Sequence, residues 1–153
     1  MALYTIRKAG GAITPDTGTV TYMSMITAAT RSIRVQELSH SGLGSASAAN
    51  ELRMAAAPVG TTPGGAVTPA PGNPLATVAS GFTTATTYVT APAINAQAGV
   101  YYGCNSNGGT YRWLAKTNFE LIASAAVASM ATMAWAVVSG TGTLTGHVLV
   151  EEI

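Results

Sequence analysis

The last third of the chain places the tightest limits on its fold. Thr110-Tyr111-Arg112-Trp113-Leu114-Ala115-Lys116 alternates strictly, with Tyr111, Trp113 and Ala115 on one side and Arg112, Leu114 and Lys116 on the other. Between Met130 and Val138, Met133, Trp135 and Val137 oppose Thr132, Ala134 and Ala136. Phe119-Glu120-Leu121-Ile122 and the run Thr143–Val150 complete the series. A period of two bounded by Asn, Gly and Ser predicts half-buried antiparallel strands, and the short turns between them predict a meander. The competing reading is a membrane helix through the uncharged stretch Leu121–Val138, since a span needs roughly 20 apolar residues. That stretch is rich in alanine, is interrupted by Ser124, Ser129 and Thr132, and has no Lys/Arg cluster at its end. Its drive to insert is weak, and strands are the better expectation.

Upstream, Leu3–Lys8, Thr19–Thr27, Arg31–Ser39, Asn50–Ala56 and Ala98–Gly103 read as further strands. Thr14-Pro15-Asp16-Thr17-Gly18 is turn chemistry, with Asp16 expected to cap its own turn. Thr19–Thr27 carries apolar residues on both faces, as a strand covered on each side would. In Arg31–Ser39, strict alternation sets Ile33, Val35 and Glu37 against Arg34, Gln36 and Leu38. Asn105-Ser106-Asn107-Gly108-Gly109 is a strong hairpin signal, because Asn-Gly and Gly-Gly tolerate positive φ. At 153 residues the pattern is one domain with a sizeable core.

Residues 57–97 break the pattern. Pro58, Pro63, Pro69, Pro71, Pro74 and Pro92 are interleaved with Gly60, Gly64, Gly65 and Gly72, and the stretch carries no charge. Proline at this density blocks ladder hydrogen bonds and favours extended chain. We read the segment as a long loop or arm. Its apolar residues Val67, Leu75, Val78, Phe82, Tyr88 and Ile94 are the candidate anchors on a neighbouring surface. A loop folded back on its own domain is the open alternative.

Charge decides which classes of function remain. Only 8% of residues are charged, against a usual value of about 25%. The net charge of +1 excludes a nucleic-acid binder that works through a broad basic field. So uncharged a chain is expected either to present Thr, Ser, Gly and Ala outside or to lay its surface against other subunits. The amino-terminal residues lack the long apolar core of a secretory signal, and the one cysteine, Cys104, forms no intramolecular disulfide. Both fit a protein made in a reducing cytoplasm.

Catalytic chemistry is sparse. His40, beside the glycine-rich Ser41–Ser47 connector, and His147, in phase with Leu149, are the two histidines, and Asp16 is the one aspartate. No G-x-S-x-G elbow and no phosphate loop are present. Glu151 and Glu152 are neighbours on a strand and point to opposite faces. Metal-ligand spacing is absent, and no cofactor is implied. The expectation is a protein that is not an enzyme. Tyr101, Tyr102 and Trp113 motivate an alternative, a carbohydrate-binding or host-adhesion module of a fibre tip or tail.

The stretches Asn107–Ala115 and Phe119–Ile122 and the ending Gly140–Ile153 resemble small virion structural proteins of tailed bacteriophages, of the capsid decoration or cement type. Arg34-Val35-Gln36-Glu37-Leu38 and the proline-rich loop echo them more loosely. The resemblance implies an all-β, antiparallel β-sandwich, jelly-roll-like, with the long Pro/Gly-rich loop or arm. It also implies a homo-oligomer with a trimer foremost, the major capsid protein as partner, no nucleic acid or membrane partner, and residence in the virion after synthesis in the host cytoplasm. It carries no functional residues, because attachment rather than chemistry is the role.

Overall fold

The computed structural model describes residues 2–16, 20–72, 80–94 and 99–153. Eleven strands form two antiparallel sheets: β1 (Ala2–Ala12), β2 (Val20–Ile26), β3 (Ser32–Gly42), β4 (Ala49–Ala57), β5 (Ala70–Pro71), β6 (Thr83–Thr87), β7 (Val100–Asn105), β8 (Thr110–Leu114), β9 (Leu121–Ser124), β10 (Thr132–Ser139) and β11 (Thr143–Glu152). The first sheet runs β5-β1-β11-β3-β8, with β9 also paired to β3; the second runs β6-β2-β10-β4-β7. Without β5, β6 and β9, the strands divide into β1-β11-β3-β8 and β2-β10-β4-β7, which is the eight-stranded, two-sheet arrangement of a jelly roll. The expected β-sandwich is therefore present.

Local order differs from the expected meander. β10 and β11 lie in opposite sheets, and β7 and β8, joined through the Asn105–Gly109 turn, pair with β4 and β3 rather than forming a hairpin ladder. The turn itself has the expected chemistry: Gly108 and Gly109 adopt positive φ, and Asn105 Oδ1 accepts from the Asn107 amide. Residues 121–138, the candidate membrane helix, form β9, a short 3-10 turn at Ala128–Met130 and β10. No helix among the described residues is long and apolar enough to cross a membrane. The Asp16 carboxylate accepts from the Val137 amide and ties the β1–β2 connection to β10; Thr17 and Gly18 of the expected turn lie outside the described residues.

The core lies between the sheets. Tyr4, Ile6, Ile33, Val35, Leu38, Val148 and Val150 face Met23, Met25, Leu52, Met54, Met133 and Trp135. In β3 the alternation is broken by one extra residue. Leu149 pairs with Glu37 and Val150 with Val35, so Gln36 is bulged and the phase beyond it reverses. Leu38 thereby joins Ile33 and Val35 inside, while Arg34, Gln36 and Glu37 share the outer face, correcting the strict alternation read from the sequence. β2 is buried on both faces as expected: Tyr22, Met23 and Met25 pack in the core, and Ser24 is covered by Tyr88 and β6.

Much of the Pro/Gly-rich segment closes one lateral side of the sandwich. Residues 70–71 add β5 to the β1 edge, and β6 adds to the β2 edge. Thr61 bridges Thr90, and Gly64 bridges Thr87. Thr84 bonds both backbone groups of Val67 through its hydroxyl, and Thr86 Oγ1 donates to the Gly65 carbonyl. The far end of the segment is pinned where Glu152 accepts from the Gly81 amide and Phe82 meets Tyr4 edge-on. Unpaired strand edges invite association with other chains, and natural sheets cover them. Here one side is covered.

Candidate interaction surface

The opposite lateral side is open. Among the described residues β7 and β8 are terminal strands of their sheets, each hydrogen-bonded to a neighbour on one flank only. Tyr111 and Trp113 of β8 turn inward, Tyr111 stacking on Tyr102 with ring centroids 4.1 Å apart. Leu114 consequently points out at 51% exposure, and Phe119, on the loop after β8, stands at 75%. Arg112, Trp113, Leu114, Lys116 and Phe119 line a shallow recess of about 570 Å³ along this edge. Arg112 is fixed by a bidentate pair to Glu37 across the sheet, at 2.8 and 2.9 Å, which holds the Glu37 carboxyl below its ordinary value. Asn118, in the same loop, takes a positive φ, setting the turn that raises Phe119. Ile122 on β9, with Met130 close by, extends the apolar exposure past the end of the edge.

The proposed anchors divide differently. Phe82 and Tyr88 are 2% and 7% exposed, part of the chain's own interior, so neither ring is offered to a neighbour. Val67 is half-buried against the core, and Ile94 is half-buried as well. Leu75 and Val78 lie outside the described residues. Where it is described, the segment folds on its own domain because β1 and β2 offer it unpaired edges. The sequence does not single out the exposed residues of the open side: Leu114 reads as one phase of an ordinary strand and Phe119 as the start of another. Their exposure follows from strand order, which no local pattern carries.

The aromatic trio does not form a sugar platform. Tyr102 is buried and Trp113 turns toward the core. Tyr101 alone of the three is exposed, and Arg53 lies over its ring at 5.2 Å and donates to its hydroxyl at 2.7 Å.

The interior holds a polar cluster that the sequence did not reveal. His40, expected beside a flexible connector, is 1% exposed. Trp135 Nε1–H donates to the Tyr102 hydroxyl, which also shares a hydrogen bond with His40 Nδ1 at 3.0 Å. His40 Nε2 and the Tyr22 hydroxyl have no partner among the described residues. Burial pushes the His40 pKa down to about 4 and the Tyr22 phenol up. The cluster is tightly packed: Trp135 and Tyr22 rest against Gly146, where an added Cβ would stand 2.5 Å from the indole and 3.0 Å from the Tyr22 hydroxyl. Cys104 is half-buried with its thiol pKa raised by that burial, the opposite of an activated nucleophile. His147 is not packed inside; it stands on the outer face of the first sheet beside Arg7. Among the described residues no group of three His, Cys, Asp or Glu side chains is placed to hold a metal ion.

The fold and its two unlike sides define a jelly-roll β-sandwich with one capped and one open flank. No family model and no curated protein matches the chain. Among solved structures, a chain of T=1 particles derived from infectious bursal virus aligns over 97% of this chain at 16% identity and a TM-score of 0.20. The alignment spans 39% of that particle chain, and a superposition this loose carries no argument.

Proposed function

We propose that this chain is a non-enzymatic structural subunit of a virion, which self-associates and decorates a bacteriophage capsid lattice by binding the major capsid protein. One observation carries the reading: the chain uses its long Pro/Gly-rich segment to cover the β1/β2 side while leaving β7 and β8 uncovered beside exposed Leu114 and Phe119. A monomer that covers one pair of edges and leaves the other open and apolar is built for company on that side. The sparse charge of the whole chain supports the same reading, as does the resemblance of its carboxyl-terminal strands to phage decoration proteins. Closed symmetry with a trimer foremost is the expected assembly.

Sedimentation over a range of concentrations tests this directly. The wild-type chain is expected to run as an oligomer, and Leu114→Lys combined with Phe119→Asp to run as a folded monomer with an unchanged circular dichroism spectrum. The same double variant is expected to lose binding to capsids of the virus that encodes it. A wild-type chain that stays monomeric at high concentration and ignores capsids would overturn the proposal.

A further inference from the structure

On the outer face of the first sheet, register sets four side chains in one row. Arg7 of β1 pairs with His147 of β11, His147 with Ser39 of β3, and Ser39 with Arg112 of β8. The next row toward the turn end brings Thr145 and Ser41 alongside. Beside Thr145, β1 bulges: Lys8 pairs with Gly146 and Gly11 with Leu144, so Ala9 and Gly10 together oppose one residue. Close to the bulge lies a depression of about 160 Å³ lined by Arg7, Ser39, His40, Ser41, Thr145 and His147, with Gly146 in its floor. Bulges commonly re-aim side chains beside binding sites.

The charges of this face are matched except at Arg7, since the Glu37 carboxylate feels both Arg112 and His147. Glu37 holds Arg112, and Glu151 accepts from Gln36 at 2.6 Å and lies 3.5 Å from Arg34. Arg7, exposed, forms no ion pair among the described residues, and Ser39 forms no side-chain hydrogen bond among them. No carboxylate lines the depression. Setting an arginine directly opposite a histidine across a ladder places two cation-capable groups side by side, which a sheet ordinarily avoids. Glu37 acts on His147 from the Arg112 side, but no carboxylate among the described residues pairs with Arg7. A charge left without a partner beside a depression marks a place where a ligand supplies one.

We propose that this depression binds one oxyanion, a phosphate, sulfate or carboxylate group carried by a larger molecule. Arg7 supplies the paired donors and the charge, Ser39 a free hydroxyl, and His147 a further ring donor. All three project from strands, so the donors are held in place before the ligand arrives. The volume is below the 300–1,000 Å³ of pockets that enclose a whole small molecule, so a single anionic group enters and the rest of its carrier lies over the sheet. The inference is independent of the open edge, which belongs to the far side of β3.

Titration of the isotope-labelled protein with sodium phosphate, sodium sulfate and sodium acetate, at ionic strength held constant with chloride, tests it. The amides of Ser39, Thr145 and His147 are expected to shift saturably with at least one of the three anions, half-saturating on the order of millimolar. The three arms tell which group is preferred. Arg7→Gln, an exposed substitution whose melting curve should match wild type, is expected to weaken binding at least tenfold. Arg53→Gln, on the other sheet, is expected to leave it unchanged. Shifts that never saturate with any anion, that survive Arg7→Gln, or that spread equally to Arg53 and Lys116 would overturn the proposal.

Discussion

Replacing Trp135 with alanine is expected to cost about 3–5 kcal/mol, a large share of the 5–15 kcal/mol that holds a domain of this size together. The indole is fully buried at the centre of the sandwich. It packs edge-on against Tyr22 at 4.9 Å and His40 at 4.7 Å, and its N–H serves the Tyr102 hydroxyl. Truncation removes the ring, opens a cavity between two stiff sheets and withdraws the donor from a buried phenol. A fall in melting temperature of roughly 6–20 °C should accompany it. Gly146→Val supplies the internal check. Alone it drives a Cβ to 2.5 Å from the indole and should destabilise through overpacking. Combined with Trp135→Ala, the valine enters the vacated space, and the double variant should be at least about 1 kcal/mol more stable than the two costs added together. Strict additivity in thermal or urea unfolding would mean that Trp135 does not rest on Gly146.

Acid is expected to weaken the fold through His40. Its folded pKa of about 4 lies below the ordinary value of 6.5 because burial disfavours the imidazolium. Between those values the unfolded chain binds a proton that the folded chain refuses, so stability rises with pH across that window and falls as pH drops through it. The difference of about 2.5 pKa units corresponds to about 3 kcal/mol, fully lost by pH 4. Glu37, whose carboxyl is held low by Arg112, adds its loss only below the ordinary carboxylate value of 4.5, so the two windows separate. Urea unfolding at one fixed protein concentration, measured from pH 7 to pH 4, gives the profile. His40→Gln should be less stable than wild type at pH 7 yet nearly flat across the window. Parallel profiles for the two proteins would remove His40 as the cause.

Several misplacements in the sequence reading share a physical origin. The β3 bulge at Gln36 reverses the phase of Leu38, and it is visible only when β11 is laid beside β3. β6 is hidden among prolines and glycines, although Thr83-Thr84-Ala85-Thr86-Thr87 carries the β-propensity of threonine, a signal that was available. His40 looked like a loop neighbour because β3 outruns the expected Ser39 to reach Gly42. Phe82 and Tyr88 looked like anchors for a partner and anchor the chain to itself.

What the chain's own order of residues determined was the class of fold: alternating apolar positions, turn residues at their boundaries and too few ionic groups to dress an ordinary monomer. Strand identity is a local property, because each residue's side is set by its immediate neighbours along a pleated backbone. Which strands lie at an edge, which edge is covered and which charges go unmatched were settled by pairings such as Ala2 with Glu152, between opposite ends of the sequence. Those pairings decided that Leu114 and Phe119 stand in the open and that Arg7 meets His147, since register, not composition, brings distant residues onto one face.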